Sequence, residues 1–203
     1  MRIAGVVLAA GASRRLGTPK QLLKDESGQT FVARTASQLI EAGCDPVLVV
    51  TGSAHDAVSL AVASLSVEVV LNPEWAEGMA ASIRSGVRWL STEVSGSTID
   101  AGLFTVCDLP SASARHYKAI IDASSMHCIR IASEFLDAQG TLIKGVPALF
   151  PREDWEALAS IEGDMGARAL LAPASVHSVF LPEGGRDIDT PEDLDRWRAE
   201  LLR

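Results

Sequence analysis

Ile3-Ala4-Gly5-Val6-Val7-Leu8-Ala9-Ala10-Gly11-Ala12-Ser13-Arg14-Arg15-Leu16-Gly17-Thr18-Pro19-Lys20-Gln21-Leu22 joins an unbroken apolar run to a turn of small residues and cations. A strand covered on both faces carries such a run, whereas a half-buried strand alternates. The small residues after it let backbone amides approach a ligand. Arg14, Arg15 and Lys20 cluster directly behind them, which suits a polyphosphate. The turn is not a Walker A loop, because Gly17 is followed by Thr18 and Pro19 instead of Lys and Ser or Thr. Nor is it the dinucleotide fingerprint. Its three-glycine spacing is missing, and the next strand ends at Val50-Thr51-Gly52 with no acid for a ribose. The first dozen residues superficially resemble a secretory signal, but a buried first strand reads the same way.

Moving outward, short runs rich in Val, Ile and Leu alternate with longer amphipathic stretches, the pattern of a largely parallel sheet with helices on both faces. The class is α/β. Strands are expected at Ile3 to Ala9, Pro46 to Thr51, Val67 to Leu71, Leu103 to Cys107, Ile129 to Phe135, Val146 to Phe150 and His177 to Leu181. Helices are expected at Phe31 to Ala42, Asp56 to Ser64, Glu77 to Leu90, Ala112 to Ala123, Glu153 to Ser160, Ala167 to Leu171 and Pro191 to Leu202. The last has the clearest start, with Thr190 as cap, Pro191 at the first helical position, and Glu192 and Asp193 on the positive end of the dipole. Met79, Ile83, Val87 and Leu90 recur at helical spacing as a core stripe. Ser91 to Gly102 reads as a surface loop, and Gln139-Gly140 as a hairpin turn.

The 203 residues suit one domain, 1–203, and 47% of them are hydrophobic, enough for a substantial core. Eighteen Lys and Arg against 26 Asp and Glu give a net charge of -8, which opposes the phosphate-backbone binding of nucleic-acid proteins. No further run of about 18 uncharged apolar residues exists, so a membrane span is not supported. Cys44, Cys107 and Cys128 form no C-x-x-C pair and read as small buried hydrophobes, pointing to a reducing, cytoplasmic compartment. His55, His116, His127 and His177 lack metal-ligand spacing and read as structural or surface residues.

Asp108 directly follows the run Phe104-Thr105-Val106-Cys107, and Asp187 and Asp189 follow Val179-Phe180-Leu181 after a Gly-rich turn. Singly, each is a candidate turn or cap residue. Together, carboxylates delivered to the carboxyl ends of strands suit one hard divalent cation, with Mg²⁺ on one or two carboxylates plus substrate phosphates as the common arrangement.

Leu8 to Leu22 resembles the L-A-A-G-x-S-x-R-x-G-x-x-K-x-L signature of the MobA-like nucleotidyltransferases, and is most similar to their molybdenum cofactor cytidylyltransferase branch. Asn72 to Met79, Cys107 to Pro110, Gly145 to Pro151, Gly163 to Arg168 and Asp187 to Asp193 resemble further family motifs in the same order. The resemblance implies a Rossmann-like three-layer sandwich of the nucleotide-diphospho-sugar transferase type. It implies transfer of a nucleotidyl group, CMP from CTP, onto a phosphate-bearing acceptor, with Mg²⁺ and release of pyrophosphate. In that branch the acceptor is molybdopterin carrying molybdenum, and the product serves certain molybdenum hydroxylases. Carried over by position, Leu8, Ala9, Ala10 and Gly11 line the nucleotide, Arg15 and Lys20 neutralise the triphosphate, and Gly78 and Met79 lie near base and ribose. Asp108 and Asp189 hold the metal. Trp75, Trp89, Trp155 and Trp197 read as packing residues, although Trp75 is close enough to Gly78 to border the nucleotide. The Ala9-Ala10 pair resembles cytidylyl members, since guanylyl members commonly carry a second glycine.

Two departures bear on the acceptor. Relatives of the cytidylyl branch often show C-D-Q-P and G-H-P, whereas Leu109 and Val146 make these positions apolar here. If they meet the acceptor, its identity changes, since an unpaired polar group is costly to bury; the alternative is that they stand behind the site. Two other functions remain open: an NADPH-dependent reductase of quinonoid substrates, with Arg14 or Arg15 on a 2′-phosphate, and a non-catalytic carrier of molybdopterin.

Overall fold

β1 (Ile3–Ala9) is buried along its whole length, as its unbroken apolar run requires. It pairs in parallel with β2 (Val47–Thr51) on one side and with β4 (Ala101–Val106) on the other. β3 (Glu68–Leu71) adds in parallel outside β2. On the other flank, β6 (Leu142–Pro151) runs antiparallel to β4 and to β5 (Ile131–Leu136), and β7 (His177–Phe180) runs parallel to β5. The seven strands stand in the order β3-β2-β1-β4-β6-β5-β7. The computed structural model describes residues 1–92, 98–124, 129–137, 139–163, 166–173 and 176–201.

Two cores cover the two faces of the sheet, and the pleat of β1 divides its residues between them. Ile3, Val7 and Ala9 pack with Phe31 and Leu39 of α1 (Phe31–Glu41), Val58 of α2 (His55–Val62), and Tyr117 and Ile120 of α4 (Ala114–Ser124). Ala4, Val6 and Leu8 pack with Ile83, Val87 and Leu90 of α3 (Met79–Ser91), Trp155 and Leu158 of α5 (Trp155–Ala159), and Leu171 of α6 (Arg168–Leu171). Complete burial of one such aliphatic side chain stabilises the fold by about 1.5–3 kcal/mol before entropy is counted.

α7 (Pro191–Leu201) begins where its cap signals place it. The Asp193 amide donates to Thr190 Oγ1 (3.2 Å), and the Thr190 amide donates back to Asp193 Oδ2 (3.0 Å). Trp197 then meets Phe31 edge-on at 5.1 Å, docking the C-terminal helix on α1. Cys44 and Cys107 are buried free thiols, as expected; His127 and Cys128 lie outside the described residues.

Four of the differences from the sequence reading have a clear structural form. α3 starts at Met79 instead of Glu77, because Gly78 takes φ 109°, which a helix cannot continue through; residues 75–77 form a separate 3-10 turn. β4 takes in Ala101 and Gly102, which had been assigned to the surface loop, and both are buried. Val94 to Ser97 of that loop lie outside the described residues, as does Glu93. β6 begins four residues early at Leu142, since its first half pairs with β5 across a turn at Gly140; that half is only partly buried, and Lys144 and Gly145 interrupt its apolar run. The helix expected from Glu153 is a 3-10 turn over 152–154 followed by α5.

Candidate active site

The turn after β1 is fixed by its carbonyls. Gln21, in a 3-10 turn over Lys20–Leu22 and almost fully buried, donates through Nε2 to Ala9 O (3.0 Å) and Gly11 O (2.6 Å). The Ser53 amide donates to Ala10 O (3.1 Å), and Ser53 Oγ donates to Gly11 O (3.1 Å). With the carbonyls engaged on the protein side, the amides of Gly11, Ala12 and Ser13 meet no acceptor among the described residues. A Cβ added at Gly11 would touch nothing within 4 Å, so there is room beside the turn. Gly52 is where the turn tolerates no side chain. Its Cβ would lie 2.5 Å from Ala10 O and 2.7 Å from the Cβ of Trp75. The side chains of Ala9 and Ala10 are buried, so these two residues offer a ligand only their backbone.

Asp108 leaves the carboxyl end of β4, next to the turn after β1, because the two strands are parallel neighbours. The segment before α7 is stitched to it by the Ile188 amide, which donates to Asp108 O (3.1 Å). Lys20 then bridges the two segments: Nζ donates to Asp108 Oδ2 and to Asp189 Oδ1 (3.0 Å). Arg15, whose side chain is largely exposed, donates from Nη2 to Asp189 Oδ2 (2.7 Å). Burial works against the Lys20 ammonium, but Asp108 and Asp189 more than offset it and raise its pKa above the ordinary lysine value. Asp108 is 6% exposed, and its Oδ1 is buried without a partner among the described residues. A buried carboxylate oxygen left in this way is costly unless a cation or donor arrives.

Asp187 stands beside this centre. The residue is open to solvent at one side, yet its carboxyl is hemmed in by protein; desolvation, with the like charges of Asp108 and Asp189, pushes it up to about 7, while Lys20 and Arg168 act the other way. Among the described residues, no group of three or more His, Cys, Asp or Glu is close enough to hold a metal ion. A cation here would take its protein ligands from Asp108 and Asp189, hard oxygen donors of which Asp108 Oδ1 is buried without a partner among the described residues. The pair fits a divalent cation that takes its remaining ligands from water and substrate.

Beyond Asp187 opens a cleft of about 490 Å³ whose walls include Leu8, Met79, Leu109, Phe135 and Val146. Both departures from the family pattern, Leu109 and Val146, thus face this cleft instead of standing behind it. Met79, which the helical stripe assigned to the core, is 39% exposed and lines the same wall, while Ile83, Val87 and Leu90 are buried. The stripe's first member lies at the helix end, past the edge of the packed face. Gly78 caps that helix with its positive φ. Trp75 is half-buried against Gly52.

The structure thus gathers Arg15, Lys20, Asp108 and Asp189 into one charged centre, with Gly11 on one side and Leu8 and Met79 on the other. The sequence reading gave no role to Gln21 and Arg168, and offered Asp187 only as one of the carboxylates at the strand ends. Gln21 carried no separable signal, since a glutamine beside Lys20 reads as solvated; Arg168 lay within a recognised motif but far from the others in sequence.

A mostly parallel α/β sheet with its charged residues gathered at the carboxyl edge is the architecture of the open α/β ligand-binding folds. The chain belongs to the MobA-like NTP transferase domain family, which matches residues 5–179. It is 29% identical over 200 residues to nicotine blue oxidoreductase of Paenarthrobacter nicotinovorans, covering 96% of this chain and 95% of that one. It is 30% identical over 213 residues to the purine catabolism protein PucB of Bacillus subtilis, covering 97% and 96%. The crystal structure of Rv0371c from Mycobacterium tuberculosis matches with a TM-score of 0.79 at 30% identity over 97% of both chains. A manganese complex of Rv0371c matches at 0.75 and 28%, again over 97% of both. A CMP:2-keto-3-deoxy-manno-octonic acid synthetase with CTP bound shares the fold, at a TM-score of 0.74 and 15% identity over 100% of this chain and 99% of that one. No described helix is long and apolar enough to cross a membrane.

Proposed function

We propose that the protein transfers CMP from CTP to the phosphate of a molybdopterin-type acceptor and releases pyrophosphate, in the cytoplasm, supplying a molybdenum hydroxylase. The observation that carries this reading is Lys20 held between Asp108 and Asp189, beside the free amides of the turn after β1. An acceptor phosphate oxygen attacks the α-phosphorus in line, the bond to the β-phosphate oxygen breaks, and pyrophosphate leaves with the charge. No enzyme nucleophile is needed. The site positions the reactants and stabilises the leaving charge.

The amides of Gly11 and Ala12 donate to phosphate oxygens, with Leu8, Ala9, Ala10 and Gly11 forming the floor. Lys20 is a point charge and Arg15 a planar fork, both suited to the triphosphate. Gly78 and Met79 border base and ribose. Asp108 and Asp189 would hold Mg²⁺, which, when bound, adds charge stabilisation and a template for orientation. The retained centre argues against a mere carrier, which has no use for a triphosphate site.

A second reading has its own support. The apolar walls at Leu109 and Val146, together with the likeness to nicotine blue oxidoreductase, favour an NADPH-dependent reductase of a flat quinonoid compound. Melting temperatures with CTP, GTP, ATP and NADPH, each with and without Mg²⁺, separate the two, because a ligand of the folded state raises its stability by mass action. A Mg²⁺-dependent shift with CTP, followed by pyrophosphate release on adding molybdopterin, is the expected result. A shift with NADPH alone rejects the transferase.

A further inference from the structure

We propose that Arg34 is a positioning residue of the charged centre: by tying the chain that follows Lys20 to the chain that follows Asp108, it sets the gap across which a divalent cation is held. This rests on the nucleotidyl-transfer reading, in which Asp108 is a metal ligand, and adds to it a residue that touches neither metal nor substrate.

Strand pairing alone does not fix that gap. β1 and β4 are in register as far as Leu8 opposite Val106, and both Lys20 and Asp108 lie beyond that last pair. The two residues are 88 apart in sequence. The Ile188 amide holds Asp108 O, but it comes from the segment before α7 and so links Asp108 to Asp189 instead of to the Lys20 loop. The Lys20 amide donates to Ser13 Oγ (3.0 Å), which keeps Lys20 within its own loop. The direct ion pair between Lys20 and Asp108 cannot serve as the tie, since a cation competes for the same carboxylate.

Arg34 supplies the tie. Its backbone belongs to the Lys20 side: Lys20 O accepts from the Leu23 amide (3.2 Å), Leu23 O from the Phe31 amide (2.8 Å), and Thr30 O from the Arg34 amide (2.8 Å). Its side chain reaches the Asp108 side, where Nη2 donates to Pro110 O (2.8 Å). Nε lies 3.8 Å from Asp25 Oδ2. Asp25 in turn shapes the turn between Lys20 and α1, because its Oδ1 accepts from the amides of Ser27 (2.9 Å) and Gln29 (3.1 Å). The Arg34 and Asp25 side chains are 21% and 16% exposed, so this is not a solvated surface pair. A guanidinium suits both acceptors at once, with one edge toward Asp25 and another toward Pro110 O, whereas an ammonium is a single point charge. Losing it takes the donor from Pro110 O and detaches the Asp108 loop from α1. Support of this kind behind a metal ligand is typically worth about 10- to 100-fold in metal affinity.

The test is Mn²⁺ binding, with free Mn²⁺ read by electron paramagnetic resonance, with and without CTP, alongside urea unfolding of each variant. Arg34→Met should weaken Mn²⁺ binding about tenfold. Arg34→Lys should recover part of that loss, because it keeps the charge and one of the two contacts, and Asp25→Asn should weaken binding less than Arg34→Met does. Arg34→Lys and Asp25→Asn decide the matter if Arg34→Met does not fold. Wild-type Mn²⁺ affinity in the folded variants, even with a lower urea midpoint, overturns the proposal, because a merely structural arginine moves stability and leaves the cation alone. No Mn²⁺ uptake by the wild type, with or without CTP, overturns it together with the cation site. If CTP fails to tighten Mn²⁺ binding while Arg34→Met still weakens it, the nucleotide reading falls and the role of Arg34 stands.

Discussion

Around Gly11 the protein spends its polar atoms on itself: Gln21 and Ser53 occupy three successive carbonyls, and Lys20 ties two aspartates from distant segments. Around Val146, on the far side of the same aspartates, the walls are carbon, and the Arg168 side chain has no hydrogen-bond or ion-pair partner among the described residues. The loop side is a preorganised polar cradle, rigid because every displaced carbonyl would lose a donor. The cleft side is a shaped apolar surface, specific through what it fails to pair. The first suits a ligand whose charge is fixed and known. The second suits a partner that can change from one family member to another by exchanging single side chains.

The largest contrast should come from the charged centre. Lys20→Ala is expected to lower kcat/KM by about 10²- to 10³-fold, measured as pyrophosphate release, and Asp108→Asn should do as much. A rate within a few-fold of wild type in either variant would remove the centre from the chemistry. Next comes Gln21→Ala, which takes the side-chain donor from Ala9 O and leaves Gly11 O with Ser53 Oγ alone; it should cost about 1–3 kcal/mol in urea unfolding as well as raising the KM for CTP. If stability falls while the KM for CTP holds, the cradle is structural alone.

On the cleft side, His116 gives a smaller and pH-dependent effect. It is buried, and its Nε2 meets Ser133 Oγ (2.8 Å), which donates to Pro147 O (2.6 Å) next to Val146. Because the serine hydroxyl is spent as a donor, the imidazole must be the donor to its oxygen. Burial lowers the His116 pKa to about 4 from 6.5. The unfolded chain then binds more protons between those values, so this contribution is complete above pH 6.5 and is lost as pH falls through the window toward 4. Between pH 7.5 and 5 the loss should be on the order of 2 kcal/mol, and His116→Gln should flatten that slope. An unaltered slope in the variant would clear His116 of the effect. The smallest change expected is at Val146→His, which restores a hydrogen-bonding side chain: acceptor preference should shift by about tenfold, with the KM for CTP unmoved. A shift in both constants would mean that the two sides are coupled through the aspartates.

Much of the loop side was readable in order along the chain, because a βα turn and its cations are contiguous and local geometry dictates them. The apolar run Ile3–Ala9 announced a doubly covered strand, and Thr190 with Pro191 announced the last helix to the residue. Gln21 escaped because its role lies in reaching back to carbonyls 10 and 12 residues earlier, a contact with no periodicity. The cleft escaped more completely. Leu109, Phe135, Val146 and Arg168 come from four segments, and only the antiparallel insertion of β6 between β4 and β5 sets them around one space.

Composition, patterning and the cationic turn therefore settled the α/β class, most of the strand positions and the residue types at the charged centre, since each follows from local sterics, burial period or charge. Long-range pairing settled the rest: which aspartates share Lys20, which face Met79 shows, and that two leucine-like substitutions line a cleft. These depend on strand order and packing of segments up to 174 residues apart, as in the Arg15–Asp189 contact, and no local preference encodes them.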